Sequence, residues 1–267
     1  MTIVFDIGGT KMRVASSTDG KNLDNITISP TPQNYNSGLE LLCEQIEKSA
    51  NNQVITTIAG GVPGVLNTNK SGLVRIANLP DWSGKSLVKN LKDHFNCPVF
   101  LENDAVLGGL AEAVLGAGQG LNSITYITIG TGIGGVWIVN QKPAKENATF
   151  EPGHNIINPN GPICVADKTA GHWEAYLRLP GEQGISPDFL PTLATGISET
   201  LRRWPADLLI LGGGVSLHAN WDLVQLRNDV ASLLPNKIKM PQIKIAKLKD
   251  NAGLFGALLL AKQSQTS

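Results

Sequence analysis

Two segments of the chain share an unusual order, in which an apolar strand pattern leads into a tight glycine turn and then into a second strand pattern. They run from Ile3 to Ala15 and from Ile124 to Val139. Glycine adopts positive φ without a steric penalty and lets backbone N–H groups approach a ligand. Successive N–H groups in such turns form concave sites for phosphate oxygens. Either turn alone is equally typical of an ordinary β-hairpin. Because the pair opens two similar halves, we predict a duplicated fold that holds a nucleotide between its halves.

Neither turn fits the phosphate loops that open a helix. In P-loop and dinucleotide-binding folds, the glycine turn leads into a helix whose N-terminus holds phosphate. After Gly8, Gly9 and Thr10, however, Met12 and Val14 alternate with polar residues, which is the period of a strand. These two nucleotide-binding classes are therefore excluded.

Charge and cysteine content exclude several further classes. The 267 residues carry 22 Lys and Arg against 22 Asp and Glu, so no net field attracts nucleic acid or an anionic membrane. The three cysteines are scattered, which favours buried thiols in a reduced compartment over a disulfide framework. The sequence shows no secretory signal pattern and no apolar run long enough to cross a bilayer. We expect a cytoplasmic protein without nucleic acid or membrane partners.

Helix and strand patterns alternate along both halves, which predicts an α/β fold. In the first helix pattern, Ser37 and Glu40 have the spacing of a capping box. Residues 141–184 form a polar, Pro- and Gly-rich insert with little periodicity. Helices are predicted over residues 34–50, 87–95, 104–115, 189–204 and 252–262, and strands over residues 54–59, 99–101 and 207–211.

Two acidic residues follow strand patterns. Asp6 ends the first strand just before its glycine turn, where a buried carboxylate needs a partner such as a Mg²⁺ ion that accompanies phosphate. Asp104 follows the strand at 99–101 and opens a helix pattern. Aspartate is a common helix N-cap. The alternative is a general base, with Asn103 beside it to hold a substrate hydroxyl, and the two phosphate-type turns favour that alternative.

The insert contains Glu151-Pro152-Gly153-His154, which is either a solvated loop or a set of binding residues carried on a loop. Cys164 and His172 follow, and with His154 they offer three zinc ligands. No fourth ligand is evident for the four-coordinate closure of a structural zinc site. Farther along, a buried strand pattern runs into Gly212-Gly213-Gly214. This segment is either a plain strand-to-helix turn or a place where backbone lies against a flat ligand such as adenine.

Taken together, these residues resemble the ROK family of the actin/hexokinase/Hsp70-like superfamily, over nearly the whole chain. The matching segments occur in the family's order: DIGGTK at 6–11, GVPG at 61–64, ANLPDW at 77–82, ENDA at 102–105, IGTGIGG at 129–135, EPGH at 151–154 and LGGGV at 211–215. The resemblance implies an α/β, duplicated ribonuclease-H-like (actin-like ATPase) fold with two domains and an interdomain cleft. We expect a smaller domain of residues 1–104 with 250–267, and a larger one of residues 105–249.

The resemblance also implies a role for each matching residue. Asp104 is expected to be the catalytic base, and Asp6 to hold Mg²⁺ through water. The implied substrate contacts are Gly61, Asn78, Asn103, Asp104, Glu151, His154 and Glu174. The implied ATP contacts are Asp6, Gly8, Gly9, Thr10, Lys11, Gly130, Thr131, Gly132, Gly213 and Gly214.

The chain departs from the family at a zinc motif. The family commonly has CxCGxxGCxE after its ExGH, and the histidine and three cysteines bind zinc. Here Cys164 matches, but the expected partners read Ala166 and His172, and Glu174 is one residue farther along. We therefore expect the zinc site to be lost, with His154 and Cys164 as the only family-matching ligands. The segment between Glu174 and LGGGV is also short, which predicts a trimmed helical layer and dimer surface.

The implied activity is ATP-dependent phosphorylation of a hexose or N-acyl-hexosamine, with the 6-hydroxyl as the expected acceptor. One alternative is a sugar-responsive repressor, but the helix-turn-helix extension of family repressors is not found before the first hairpin. Another is a catalytically degenerate sugar-binding or regulatory protein. The lost cysteines favour this second alternative, whereas Asp6, Asp104 and both glycine turns argue against it. A homodimer is left open.

Overall fold

Each of the two predicted glycine turns joins a pair of antiparallel strands. The structure is a computed structural model that describes residues 1–177 and 189–265. In both hairpins the two strands are paired along their whole length up to the turn, with Ile7 opposite Met12 in the first and Ile129 opposite Ile133 in the second. The prediction of strand, turn and strand is therefore confirmed for both segments.

Helices and strands alternate in both halves. The first half contains β1 (Thr2–Ile7), β2 (Lys11–Ser17), β3 (Asp24–Pro30), α1 (Tyr35–Ala50), β4 (Thr57–Val62), β5 (Val65–Leu66), β6 (Leu73–Arg75), α2 (Leu87–Phe95), β7 (Val99–Asn103) and α3 (Asp104–Val114). The second half contains β8 (Ser123–Ile129), β9 (Ile133–Val139), β10 (Lys142–Pro143), α4 (Phe189–Arg203), β11 (Leu208–Gly212), α5 (Gly213–His218), α6 (Leu223–Leu233), β12 (Gln242–Ile245) and α7 (Ala252–Gln265). Short 3₁₀ turns lie at 80–82, 145–149, 152–154, 173–176 and 249–251.

The two large sheets repeat one strand order. The first sheet has the order β3-β2-β1-β4-β7, and the second has the order β10-β9-β8-β11-β12. In each sheet the first three strands of that half are antiparallel neighbours, and the last two strands run parallel to the first strand. Identical order and direction in both sheets show that the fold is duplicated.

The chain forms two units, Met1–Ala111 with Asn251–Ser267 and Glu112–Asp250. The first of these units ends at Ala111 and the second begins at Glu112, both within α3. In the first unit, α7 packs on β1 and β4 through a buried apolar cluster that includes Val4, Ala59 and Leu258. In the second unit, the aromatic side chains of Trp173 and Phe189 belong to the buried core.

Two local predictions need correction. The N-cap of α1 is Asn34, whose side chain accepts a hydrogen bond from the backbone N–H of Ser37; Ser37 therefore lies inside the helix and is not the cap of a capping box. The fourth strand begins at Thr57 and not at Val54, because its pairing with β1 begins where Thr57 faces Thr2. Val54 is 80% exposed before the strand starts.

Among the described residues, no helix combines the length and apolar character needed to cross a membrane.

Candidate active site

The carboxyl ends of three parallel strands bring the first group of predicted residues together. Asp6 of β1 faces Gly61 of β4, and Gly61 faces Glu102 of β7. A Cβ on Gly61 would lie 3.1 Å from Oδ1 of Asp6 and 3.4 Å from Cα of Asp104. The glycine therefore lies next to both aspartates, and a side chain at this position would crowd the Asp6 carboxylate. The structure places Asp6, Gly61 and Asp104 at one edge of the first sheet.

Asp104 is the first residue of α3 and is partly exposed. Its Oδ1 accepts a hydrogen bond of 2.8 Å from the N–H of Ala105. Burial of the carboxyl group in the surrounding protein raises its pKa to about 6, and the hydrogen bond from Ala105 opposes this shift only in part. Because a pKa of about 6 is still below neutral pH, Asp104 remains mostly ionised there, and the raised value makes it a better proton acceptor than an exposed aspartate.

Asn103 provides the N-cap of α3. Its Oδ1 accepts hydrogen bonds from the N–H groups of Ala105 at 3.0 Å and Val106 at 3.2 Å, and its Nδ2 donates to the carbonyl of Gly64 at 3.1 Å. Asn103 is expected to contact a sugar hydroxyl, but its amide oxygen is engaged by the helix start. One hydrogen of Nδ2 is not used by the Gly64 bond.

The strand before this helix start is fixed by Glu102. Its Oε1 accepts a hydrogen bond of 2.9 Å from the N–H of Asn103, and its Oε2 is paired with Lys70. Sequence reasoning named Glu102 only as part of ENDA and did not predict Lys70.

Asp6 lies against the start of α7. A Cβ on Gly253 would be 2.6 Å from Cγ of Asp6, so only glycine leaves room for the carboxylate there. The carboxylate is also 3.9 Å from the Arg13 guanidinium and keeps 15% side-chain exposure. A carboxylate that is partly open at a strand end fits a Mg²⁺ ion held through water, since Mg²⁺ keeps several waters of its own.

The first glycine turn is closed by a hydrogen bond of 2.8 Å from the N–H of Gly8 to the carbonyl of Lys11. Thr10 and Lys11 are exposed, and Gly9 is partly exposed. The backbone of the turn is therefore accessible to a ligand.

The ANLPDW loop, which is expected to contact sugar, contains both buried anchoring residues and exposed residues. Trp82 is fully buried and donates from Nε1 to the carbonyl of Pro32, while Asp81 accepts the N–H of Tyr35. These two residues fasten the ANLPDW loop to the start of α1. Asn78 is exposed in the same loop, so its side chain is accessible to a ligand.

The second glycine turn lies beside the glycines that follow β11. The turn is closed by a hydrogen bond of 2.9 Å from the N–H of Gly130 to the carbonyl of Gly132. A Cβ on Gly130 would have the backbone nitrogen of Gly214 as its nearest neighbour, at 4.0 Å. Gly213 has φ +81°, and a Cβ there would meet the carbonyl oxygen of Ile129 at 2.5 Å. The two predicted nucleotide segments of the second unit are thus adjacent.

The EPGH loop packs on the strand after that turn. A Cβ on Gly153 would be 2.3 Å from the carbonyl oxygen of Ile133, which requires glycine there. Glu151 has 60% side-chain exposure, and its Oε2 lies 3.7 Å from Nε2 of His154. Glu174 reaches the same strand and accepts the N–H of Ile133.

Four side chains of the insert form a cluster of potential metal ligands. One ligand atom each from His154, Cys164, Asp167 and His172 lies within 4.8 Å of the other three. Oδ2 of Asp167 is 3.2 Å from Nδ1 of His154, and its Oδ1 is 3.4 Å from Nδ1 of His172. Asp167 is a fourth potential ligand, which the sequence did not reveal. Its only signal is an acidic residue between Cys164 and His172, one position beyond the expected Ala166.

The protonation tendencies of the cluster fit a metal ion. Burial acts to raise the pKa of Asp167, but the N–H of Thr169 and the two imidazoles outweigh it and lower that pKa. Burial also lowers the pKa of His172, which favours the neutral imidazole that binds metals. Nδ1 of His172 is buried with no hydrogen-bond partner among the described residues. A zinc ion with bonds of about 2.0–2.3 Å needs ligand atoms about 3.3–3.8 Å apart, so small side-chain shifts would close this site.

Two sheets of one strand order, each begun by a glycine-turn hairpin, define the duplicated ribonuclease-H-like fold of the actin-like ATPases. Within this class, the chain belongs to the ROK family, whose family model matches residues 2–179.

Named relatives and a solved structure match over almost the whole chain. A glucokinase of Thermotoga maritima is 26% identical over 98% of this chain and 97% of its own length. An N-acetyl-D-glucosamine kinase of Escherichia fergusonii is 27% identical over 96% of this chain and 97% of its own length. A ROK glucokinase of Streptomyces griseus, solved with glucose and AMPPNP, has a TM-score of 0.85 at 24% identity and covers 98% of this chain and 99% of its own.

Proposed function

We propose that this protein transfers the terminal phosphoryl group of ATP to the 6-hydroxyl of a hexose or N-acyl-hexosamine, with Asp104 as the base. Its family and its full-length kinase relatives make it an ATP-dependent carbohydrate kinase. The observation that carries the assignment of Asp104 is its place beside Gly61 and Asp6, with the capping of α3 left mainly to Asn103.

Asp104 acts by orienting the acceptor hydroxyl and taking its proton late in the transfer. Even with a pKa of about 6, the carboxylate is far too weak to ionise an alcohol beforehand. Phosphoryl transfer proceeds through a loose transition state in which the hydroxyl proton is released late. A positioned base of this kind contributes about 10²–10⁴-fold to the rate.

The remaining groups divide between phosphate and sugar. The backbone N–H groups of the turns at Gly8–Lys11 and Gly130–Gly132 are assigned to the ATP phosphates, and the segment Gly213–Gly214 to adenosine. Mg²⁺, when bound near Asp6, neutralises charge on the transferring phosphate. Asn78, Asn103, Glu151, His154 and Glu174 are assigned to the sugar hydroxyls.

We also propose that His154, Cys164, Asp167 and His172 hold a structural zinc ion, contrary to the loss expected from the sequence. The support is the convergence of four ligand atoms of types that zinc accepts. A metal held by these residues would tie both ends of the segment 154–172 together and would hold His154 close to Glu151.

ADP release across a panel of hexoses and N-acyl-hexosamines, with wild type and Asp104→Asn, tests the function. We expect sugar-dependent turnover by wild type, and a loss of at least 100-fold in Asp104→Asn with sugar affinity kept within a few-fold. Asp93→Asn on the exposed face of α2 is the control. Turnover by Asp104→Asn within a few-fold of wild type would refute the base assignment. Sugar binding without turnover by wild type would instead support the degenerate protein.

A further inference from the structure

One carboxylate joins the insert to the second phosphate turn. Oε2 of Glu174 accepts a hydrogen bond of 2.7 Å from the N–H of Ile133, which is the first residue after Gly130-Thr131-Gly132. A Cβ on Gly132 would lie 2.5 Å from the same oxygen. The carboxylate therefore lies directly against the turn, and a residue larger than glycine at 132 would displace it.

The insert fixes Ile133 from both sides of its backbone. Glu174 takes the N–H, while Gly153 packs so closely on the carbonyl that a Cβ would be 2.3 Å from its oxygen. The Ile133 side chain is 4% exposed in the core. With its exit residue held in this way, the turn has little freedom to rotate its N–H groups away from a ligand.

The charge of Glu174 by itself would act in the opposite direction. A carboxylate next to a turn that receives anionic phosphates repels them. Glu174 can therefore favour ATP binding only through its hydrogen bond to Ile133, which holds the turn in shape. Removing the side chain should therefore weaken ATP binding if its hydrogen bond matters and strengthen ATP binding if its charge matters.

We propose that Glu174 is a positioning residue for the nucleotide, which holds the second phosphate turn in its ATP-binding shape. This rests on the proposed function only in assigning that turn to ATP. Oε2 of Glu174 holds the turn, and Oε1 of the same carboxylate is left for the proposed sugar contact.

The first test measures AMPPNP affinity by calorimetry in the absence of sugar. Glu174→Ala should bind about tenfold more weakly, which corresponds to about 1.4 kcal/mol. Glu174→Gln should stay within threefold of wild type, because its amide oxygen accepts the same hydrogen bond. Glu199→Ala on α4, which removes a partly exposed carboxylate 3.2 Å from Arg202, is the matched control. Unchanged affinity in Glu174→Ala, or tighter binding by both Glu174 variants, would overturn the proposal.

The second test is a double-mutant cycle with Gly132→Ala. The added methyl group should push the flexible carboxylate off Ile133, so Gly132→Ala, Glu174→Ala and the double variant should lose AMPPNP affinity to the same extent. Additive losses would show that the two residues act separately and would contradict the proposal.

Steady-state kinetics separates positioning from a purely structural or sugar-binding role. We expect KM for ATP to rise in Glu174→Ala and to recover in Glu174→Gln, at equal thermal unfolding temperatures. An effect confined to KM for the sugar would reject the proposal while leaving the kinase assignment intact. If wild type binds AMPPNP but phosphorylates no sugar, the acceptor assignment fails and the calorimetric test still decides the role of Glu174.

Discussion

Asn103 is the N-cap of α3, so its neighbour Asp104 is not needed as the main cap of this helix. The amide oxygen of Asn103 accepts the N–H groups of Ala105 and Val106 at 3.0 and 3.2 Å. Asp104 shares only the bond to Ala105, at 2.8 Å. A polar residue of either kind satisfies the free N–H groups at a helix start. Most of the capping of α3 therefore falls to Asn103, which is consistent with the proposed role of Asp104 as the base.

The raised pKa of Asp104 predicts an acid limb in the kinase activity. As the proposed base, Asp104 must be ionised to act, so kcat/KM should fall tenfold per pH unit below about pH 6. The measurement is kcat/KM for the best sugar between pH 5 and 8, with ADP release followed by a pH-insensitive assay. A profile that stays flat down to pH 5 would contradict Asp104 as the base.

The same raised pKa predicts that Asp104→Asn stabilises the fold in a pH-dependent way. The folded protein holds the Asp104 proton up to about pH 6, whereas the ordinary value is 3.8. Wild type therefore loses stability between about pH 4 and 6 as the unfolded chain ionises first. The free energy of unfolding of the variant should exceed that of wild type by at most about 3 kcal/mol above pH 6. Near pH 4 this difference should disappear.

Denaturant titration at pH 4 and 8 measures this difference. Asp93→Asn, which removes an exposed carboxylate paired with Lys89, is the matched control and should show no comparable gain. A variant that is less stable than wild type at pH 8 would show that Asp104 is held by interactions that favour its charge.

The four-ligand cluster predicts stoichiometric metal binding. Protein that has been stripped with a chelator should take up one equivalent of Zn²⁺, and Co²⁺ substitution should give the absorption of a tetrahedral site with a single thiolate. Asp167→Asn and His172→Ala should each weaken binding by at least tenfold, since four ligands are normally required. Lys168→Ala, next to Asp167, is the control. If Asp167→Asn retains wild-type affinity, its carboxylate is not a ligand.

Two adjacent glycines predict separable effects on stability and nucleotide affinity. Gly213→Ala should lower stability, because its φ of +81° and the Ile129 carbonyl oxygen 2.5 Å from the new Cβ leave no room. A Cβ on Gly214 meets nothing within 4 Å, so Gly214→Ala should fold normally and weaken AMPPNP binding by filling ligand space. Thermal unfolding and calorimetry check both variants. Normal AMPPNP affinity in Gly214→Ala would remove this residue from the adenosine site.

The regular elements could be predicted from the sequence because their apolar periods are strong. The second helix pattern, 87–95, coincides with α2, and the glycine hairpins follow from alternation on both sides of each turn. Contacts between distant segments could not be predicted in the same way. Whether Asn34 or Ser37 caps α1 depends on the local backbone, and both residue types suit the role.

The metal cluster shows the same limit. In the family's motif, Ala166 stands where a zinc-binding cysteine is expected, and the adjacent Asp167 attracts no notice. Only the path of the loop shows that the Asp167 carboxylate lies close to both His154 and His172. Likewise, the hydrogen bond from the N–H of Ile133 to Glu174 joins residues that are distant in sequence, so no local pattern predicts it.

The helix α7 covers one face of the first sheet, whose strands are synthesised much earlier than the helix. It is separated from β1 and β4 by the entire second unit, yet its Leu254, Ala257 and Leu258 belong to the buried cluster on their surface. During synthesis on the ribosome, the first unit therefore waits with one apolar face uncovered while the residues 112–250 emerge and fold. The first unit therefore cannot bury this apolar face until the last helix of the chain has been made, and exposed apolar surface of this kind is where partly folded chains aggregate.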